Sequence, residues 1–144
     1  MIAIGSDHAG YDAKEELKLY FGSEVSYKDF GTINKDSCDY PLIAEAVARA
    51  VSNGECTKGI LICGSGIGMS IAANKIKNIR AAVCNNTNAV KLARSHNDIN
   101  VLCMGARIIS VSEMEEIIEV FLSTPFEEGR HATRINQIKE LENK

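Results

Sequence analysis

The stretch that most constrains the fold is residues 60–75, Ile-Leu-Ile-Cys-Gly-Ser-Gly-Ile-Gly-Met-Ser-Ile-Ala-Ala-Asn-Lys. Ile60, Leu61 and Ile62 form a short apolar run bounded by Gly59, the pattern of a strand buried on both faces. Cys63 closes it. Gly64, Ser65, Gly66, Ile67 and Gly68 then make a turn with little side-chain bulk, and Ile71, Ala72 and Ala73 continue into a helix. Such a turn presents bare backbone N–H groups to an anion. A cysteine beside them has its thiolate stabilised. One turn thus offers a base or nucleophile next to an anion hole. The plain alternative is a tight strand-to-helix connection with a buried, inert Cys63.

Three phosphate-loop patterns fail on this turn. A dinucleotide fingerprint needs G-x-G-x-x-G, but here the third glycine, Gly68, comes one residue early. Residues 82–88 also hold no acid to bind a ribose. A nucleotide P-loop needs Gly-Lys-Ser/Thr, whereas Gly68 is followed by Met69 and Ser70. A cysteine phosphatase loop needs a closing arginine, and the same two residues stand there.

The rest of the chain alternates strands and helices. Residues 1–6 read as a first strand, with Asp7-His8-Ala9-Gly10 turning into a helix whose apolar face is Ala13, Leu17, Tyr20 and Phe21. Residues 24–30 read as a second strand and 31–40 as a polar loop. Pro41 opens a helix with Asp39 as its cap and Leu42, Ala46, Val47, Ala50 and Val51 on one face. Strands at 80–84 and 99–104 flank a helix ending near Ser95, so His96 and Asn97 fall in the turn entering the fifth strand. Ser112 and Glu115 form a capping box before the stripe Met114, Ile117, Ile118, Phe121 and Leu122. A last helix spans about 129–142, with Ile135, Ile138 and Leu141 on one face.

At 144 residues the chain makes one domain with a core that needs no staples. The pattern predicts a three-layer α/β/α sandwich around a five-stranded parallel, Rossmann-like sheet. Ligands then bind beyond the carboxyl ends of the strands, where Asp7, His8, Cys63, Ser65 and Arg107 fall. His96 and Asn97 fall at the opposite edge unless the helix before them is short or the loop folds back, a conflict within the predicted topology. The net charge of −3 gives no general attraction to nucleic acid or membrane. The five cysteines, at 38, 56, 63, 84 and 103, form no C-x-x-C unit, which argues against zinc or a disulfide framework and suits a reducing cytoplasm. No signal peptide or membrane span is expected.

Each polar candidate also has a structural reading. Asp7-His8 reads equally as a helix cap and a surface histidine, and His96-Asn97-Asp98 as a helix C-cap. Arg130, His131 and Arg134 make a compact cationic cluster on one helix, suited to a phosphate. The solvated alternative pairs them with Glu127 and Glu128.

These motifs together resemble the type B ribose-5-phosphate isomerases, in the group that includes the galactose-6-phosphate isomerase subunits. The resemblance runs over nearly the whole chain. It rests on Ser6-Asp7-His8-Ala9-Gly10, Asp39-Tyr40-Pro41, Ile62-Cys63-Gly64-Ser65-Gly66-Ile67-Gly68, Ala72-Ala73-Asn74-Lys75, His96-Asn97-Asp98, Gly105-Ala106-Arg107 and Gly129-Arg130-His131. It implies aldose–ketose isomerisation of a small phosphosugar through a cis-enediolate, with no metal or organic cofactor. Cys63 matches the base and His96 the residue that opens the furanose ring. Gly64, Ser65, Gly66, Ile67 and Gly68 match the anion hole, with Ser65 where threonine is common. Asp7, His8, Tyr40 and Asn97 match the sugar contacts, and Arg107, Arg130 and Arg134 the phosphate clamp. The resemblance also implies a homodimer, or a dimer of dimers, whose sites are shared because the C-terminal helix reaches the neighbouring subunit.

Glu128 stands where the family often has a second glycine. The intact His96-Asn97-Asp98 and Gly129-Arg130-His131 favour the pentose over allose or galactose 6-phosphate. A non-catalytic phosphosugar binder on the same layout is the alternative of a different class. An NAD-linked oxidoreductase is opposed by Met69 and the missing acid.

Overall fold

A computed structural model describes residues 1–144. Five strands alternate with helices: β1 (Ile2–Ser6), α1 (Tyr11–Phe21), β2 (Tyr27–Asp29), α2 (Tyr40–Ser52), β3 (Lys58–Cys63), α3 (Ile67–Ala73), β4 (Ala81–Val83), α4 (Thr87–Asn97), β5 (Val101–Gly105), α5 (Val111–Ser123) and α6 (Arg130–Leu141). All pairings are parallel, in the order β2-β1-β3-β5-β4. The predicted three-layer sandwich is what forms.

The period of two along each strand sends alternate residues to two cores. Ile4, Ile60, Ile62, Leu102 and Met104 meet Leu17 and Phe21 of α1, Val90 of α4 and Phe121 of α5. Ala3, Leu61, Cys63, Val101 and Cys103 meet Val47 and Ala48 of α2 and Met69 of α3. Both faces are dry, which is why β1, β3 and β5 read as unbroken apolar runs. No helix is long and apolar enough to cross a membrane.

Several local expectations shift. β2 keeps only three residues of the predicted seven, since it is an edge strand paired with β1 alone. Tyr20 and Leu42 are exposed, and buried Lys14 takes a place on the inner face of α1. Its ammonium donates to both carboxylate oxygens of Asp29 at 2.8 Å and to the Thr32 carbonyl at 2.7 Å, so the charge is fully met. Asp39 precedes α2 without a side-chain cap bond. The capping box belongs to Ser110 and Glu113, two residues before the expected pair. Ile138 and Leu141 of α6 are exposed, whereas Ile135 is buried.

Candidate active site

Order along the sheet reverses between β1 and β3, since the connections from these strands leave in opposite directions. The carboxyl ends of such strands open a crevice. Asp7 and His8 follow β1, and Cys63 ends β3. The buried Asp7 carboxylate uses Oδ1 to accept the Ala9 and Gly10 amides at 2.9 and 3.1 Å. His8 accepts the Cys38 amide on Nδ1 at 3.3 Å. In the neutral ring this leaves Nε2 carrying the proton, as a donor.

The turn after β3 is built around its thiol. Gly66, in the left-handed region at φ 82°, donates its amide to Cys63 Sγ at 3.1 Å. A side-chain carbon at Gly66 would lie 3.0–3.1 Å from the Met104 backbone, so the turn needs glycine twice over. Ser65 Oγ accepts the Ile67 amide at 3.2 Å. The amides of Gly64, Ser65, Gly68 and Met69 donate to no protein atom. Four free donors therefore surround the segment that begins at the thiol. The Tyr40 ring rests on Gly68, where a side-chain carbon would come within 2.5 Å of it. The Arg107 amide donates to the Gly64 carbonyl at 3.0 Å, and its guanidinium lies over Gly64. Asp7, His8, Tyr40, Cys63, Gly64–Gly68 and Arg107 thus gather at one edge.

His96, Asn97, Arg130 and Arg134 do not join them. α4 runs two residues beyond its expected end, so His96 and Asn97 form its last turn instead of the following loop. Asp98 caps it in the left-handed region at φ 46°, tied to Arg94 at 2.8 Å and Arg80 at 3.2 Å. Arg80 immediately precedes β4, so this cluster lies at the amino edge of the sheet. The expected conflict is real. Gly105 is in register with Cys63, and Val101–Gly105 carries the chain about 13 Å between the edges. α6 seats its first turn against the same place: the His96 and His131 rings stack with centroids 4.3 Å apart and planes at 12°. Glu127 Oε2 lies 3.7 Å from Nε2 of each. Burial, the neighbouring His96 and Arg130 hold the His131 pKa below the ordinary histidine value. Arg130 and Arg134 are exposed at this edge.

Sequence reasoning noticed His131 as a charge but missed its stack on His96 and the role of Glu127 between them. It also missed the amide of Cys38 that orients His8, for which no sequence signal exists. Cys56, Cys84 and Cys103 are buried packing groups, and burial pushes Cys84 up to about 11 and Cys103 higher still. The one cluster with the donors to hold a metal is His96, Glu127 and His131.

Comparison with known proteins places the chain among the sugar-phosphate isomerases of the aldose–ketose class. The Ribose/Galactose Isomerase family model matches residues 2–138, and the chain belongs to that family. It is 42% identical over 142 residues to ribose-5-phosphate isomerase B of Escherichia coli (strain K12), covering 98% of this chain and 95% of that one. The solved ribose-5-phosphate isomerase B of Clostridium thermocellum superposes with a TM-score of 0.96 at 45% identity, covering 99% of this chain and 97% of the other. A D-erythrulose-4-phosphate isomerase of Pectobacterium atrosepticum (strain SCRI 1043) is 38% identical over 143 residues, covering 95% and 91%.

Proposed function

We propose that this chain interconverts ribose 5-phosphate and ribulose 5-phosphate through a cis-enediolate, in a homodimer whose two sites each draw on both subunits. The observation that carries this reading is the β3 turn, where a thiol accepts an amide and four further amides stand free. Cys63 moves a proton between C2 and C1. The charge that develops on the substrate oxygens is met by donors fixed before the reaction begins, so no reorganisation opposes it. Asp7, His8 and Tyr40 contact the sugar, and Arg107 holds the phosphate from the same subunit. His96 opens the furanose ring, Asn97 contacts the sugar, and Arg130 and Arg134 complete the clamp, all from the partner.

The split between two sheet edges supports the shared site, since one chain separates Cys63 from His96 by more than a strand's length. An apolar groove of about 670 Å³ supports the dimer. It lies beside edge strand β4, with Ile138 and Leu141 exposed on its rim, a surface a second copy would cover. The five free cysteines suit a reducing cytoplasm. The reaction needs no metal or organic cofactor.

The test is conversion of ribose 5-phosphate by native protein and by Cys63→Ala, without added metal. Turnover that falls by about 10²–10⁴-fold in the variant is expected. Equal turnover in both removes Cys63 as the base. No turnover in either removes the pentose, and four- and six-carbon phosphosugars assayed alongside then identify the substrate length. Affinity without turnover on any of these sugars would favour a binding protein instead.

A further inference from the structure

We infer that His96, Glu127 and His131 form a binding site for a divalent transition-metal ion such as Zn²⁺, and that the ion inhibits the enzyme by occupying His96. Their three donor atoms all lie within 4.8 Å of one another, and Glu127 Oε2 is 3.7 Å from each imidazole Nε2. A tetrahedral zinc ion at about 2.0–2.1 Å from each ligand holds its donors about 3.3 Å apart. Binding also opens the stack, because two parallel rings 4.3 Å apart cannot both aim an in-plane lone pair at one ion; the His96 side chain, 39% exposed, has room to turn. Two imidazoles and a carboxylate suit a borderline ion and suit Mg²⁺ or Ca²⁺ poorly.

The backbone already holds the three together. Glu127 donates its amide to the Ser95 carbonyl at 3.0 Å, one residue before His96. Glu128 and Gly129, at φ 55° and 58°, then turn the chain so that α6 brings His131 onto His96. His131 is buried while the Glu127 side chain is 59% exposed, so an ion enters from the carboxylate side and water completes its shell. Arg130 and Arg134 on the same helix repel a cation, which sets the affinity below that of a structural zinc site. Coordination takes the lone pair that His96 needs to move protons, so bound metal stops ring opening. The inhibitory part rests on the role proposed above for His96; the binding part does not.

The experiment is a calorimetric titration of the native protein, Glu127→Gln and His131→Asn with Zn²⁺, alongside isomerase assays over the same concentrations. Exposed Glu127 can be changed without disturbing the core, which guards against a folding defect in the His131 variant. One ion per chain is expected in the native protein. Both variants should bind at least about tenfold more weakly, because even loss of a group behind a ligand costs that much. The zinc concentration that halves turnover should rise by the same factor in Glu127→Gln. Co²⁺ in the native protein should give a spectrum without a thiolate charge-transfer band. Binding unchanged in both variants, or a thiolate band, overturns the site and points to Cys63. Binding that needs Glu127 and His131 but leaves turnover intact upholds the site and refutes the role given to His96. A protein without isomerase activity still reports binding, so the two readings fail separately.

Discussion

Mixing two inactive variants tests the shared site directly. Cys63 and His96 lie at opposite edges of one sheet, separated by at least the about 13 Å rise of β5. Proton transfer needs groups within about 3–3.5 Å of the reacting atoms. No side-chain rotation closes that gap, so under the roles proposed for these two residues a single chain cannot complete the site. Cys63→Ala and His96→Ala should each lose about 10²–10⁴-fold in turnover of the cyclic sugar. In a dimer of one of each, both lesions fall in one site and the other site is intact. Random exchange of equal amounts makes half the dimers mixed, and half their sites whole. The mixture should therefore recover about one quarter of native activity in a twofold-symmetric dimer. Differently tagged chains, exchanged and counted by native mass spectrometry, give the mixed fraction against which the assay is read. A mixture that contains the expected hybrids and stays inactive refutes the argument. So does a His96→Ala protein with native turnover.

Two glycines of the β3 turn should respond to alanine in opposite ways. Gly68→Ala meets only the outer atoms of the Tyr40 ring, which is 39% exposed and can swing away; we expect a raised KM with under about 1 kcal/mol lost by denaturant unfolding. Gly66→Ala forces a left-handed residue against the Met104 backbone, so about 2–4 kcal/mol of stability should go, with kcat falling as the amide leaves Sγ. At Asp29, burial pushes the carboxyl up, but hydrogen bonds from Lys14, Lys18 and the Gly31 amide outweigh it and lower its pKa. A lowered carboxyl stabilises the fold fully above the ordinary value near about pH 4, and that stability is lost as pH falls through the folded value. Asp29→Asn should cost about 3 kcal/mol at neutral pH, since it leaves the buried Lys14 charge short of a partner. It should also flatten the acid limb of a stability–pH curve, and an unchanged limb would contradict the pairing.

What the sequence made legible follows the physics of burial. β1, β3 and β5 are covered on both faces, so their apolar runs announce themselves, and the turn before α3 is legible because Gly66 takes a left-handed backbone hard against Met104, which only glycine does without strain. The edges were less legible. β2 has one neighbour and a mixed burial pattern, so its ends carry little signal. Ser110-Val111-Ser112-Glu113-Met114-Glu115 holds the capping pattern twice in overlapping registers, and composition alone does not choose between them. Helical spacing identified Leu42, Ile138 and Leu141 as apolar positions, but not what covers them; within one chain nothing does. The His96–His131 stack joins residues 35 positions apart through a turn with two positive φ values, beyond any local pattern.

The misplaced histidine is the most informative of these outcomes. In a parallel sheet, every helix that follows a strand must return the chain to the amino edge before the next strand begins. A residue in the last turn of α4 is therefore at the wrong edge by construction, and lengthening that helix by two residues only fixes it there. Motifs at opposite edges can serve one reaction only if two chains lie with the carboxyl edge of one against the amino edge of the other. Twofold symmetry then makes both contacts at once, giving two identical sites for one interface. On this reading the network around Asp98, which ties Arg94 of α4 to Arg80 before β4, holds still a histidine that works in the neighbouring subunit. The rigidity of one fold becomes the catalytic geometry of the other.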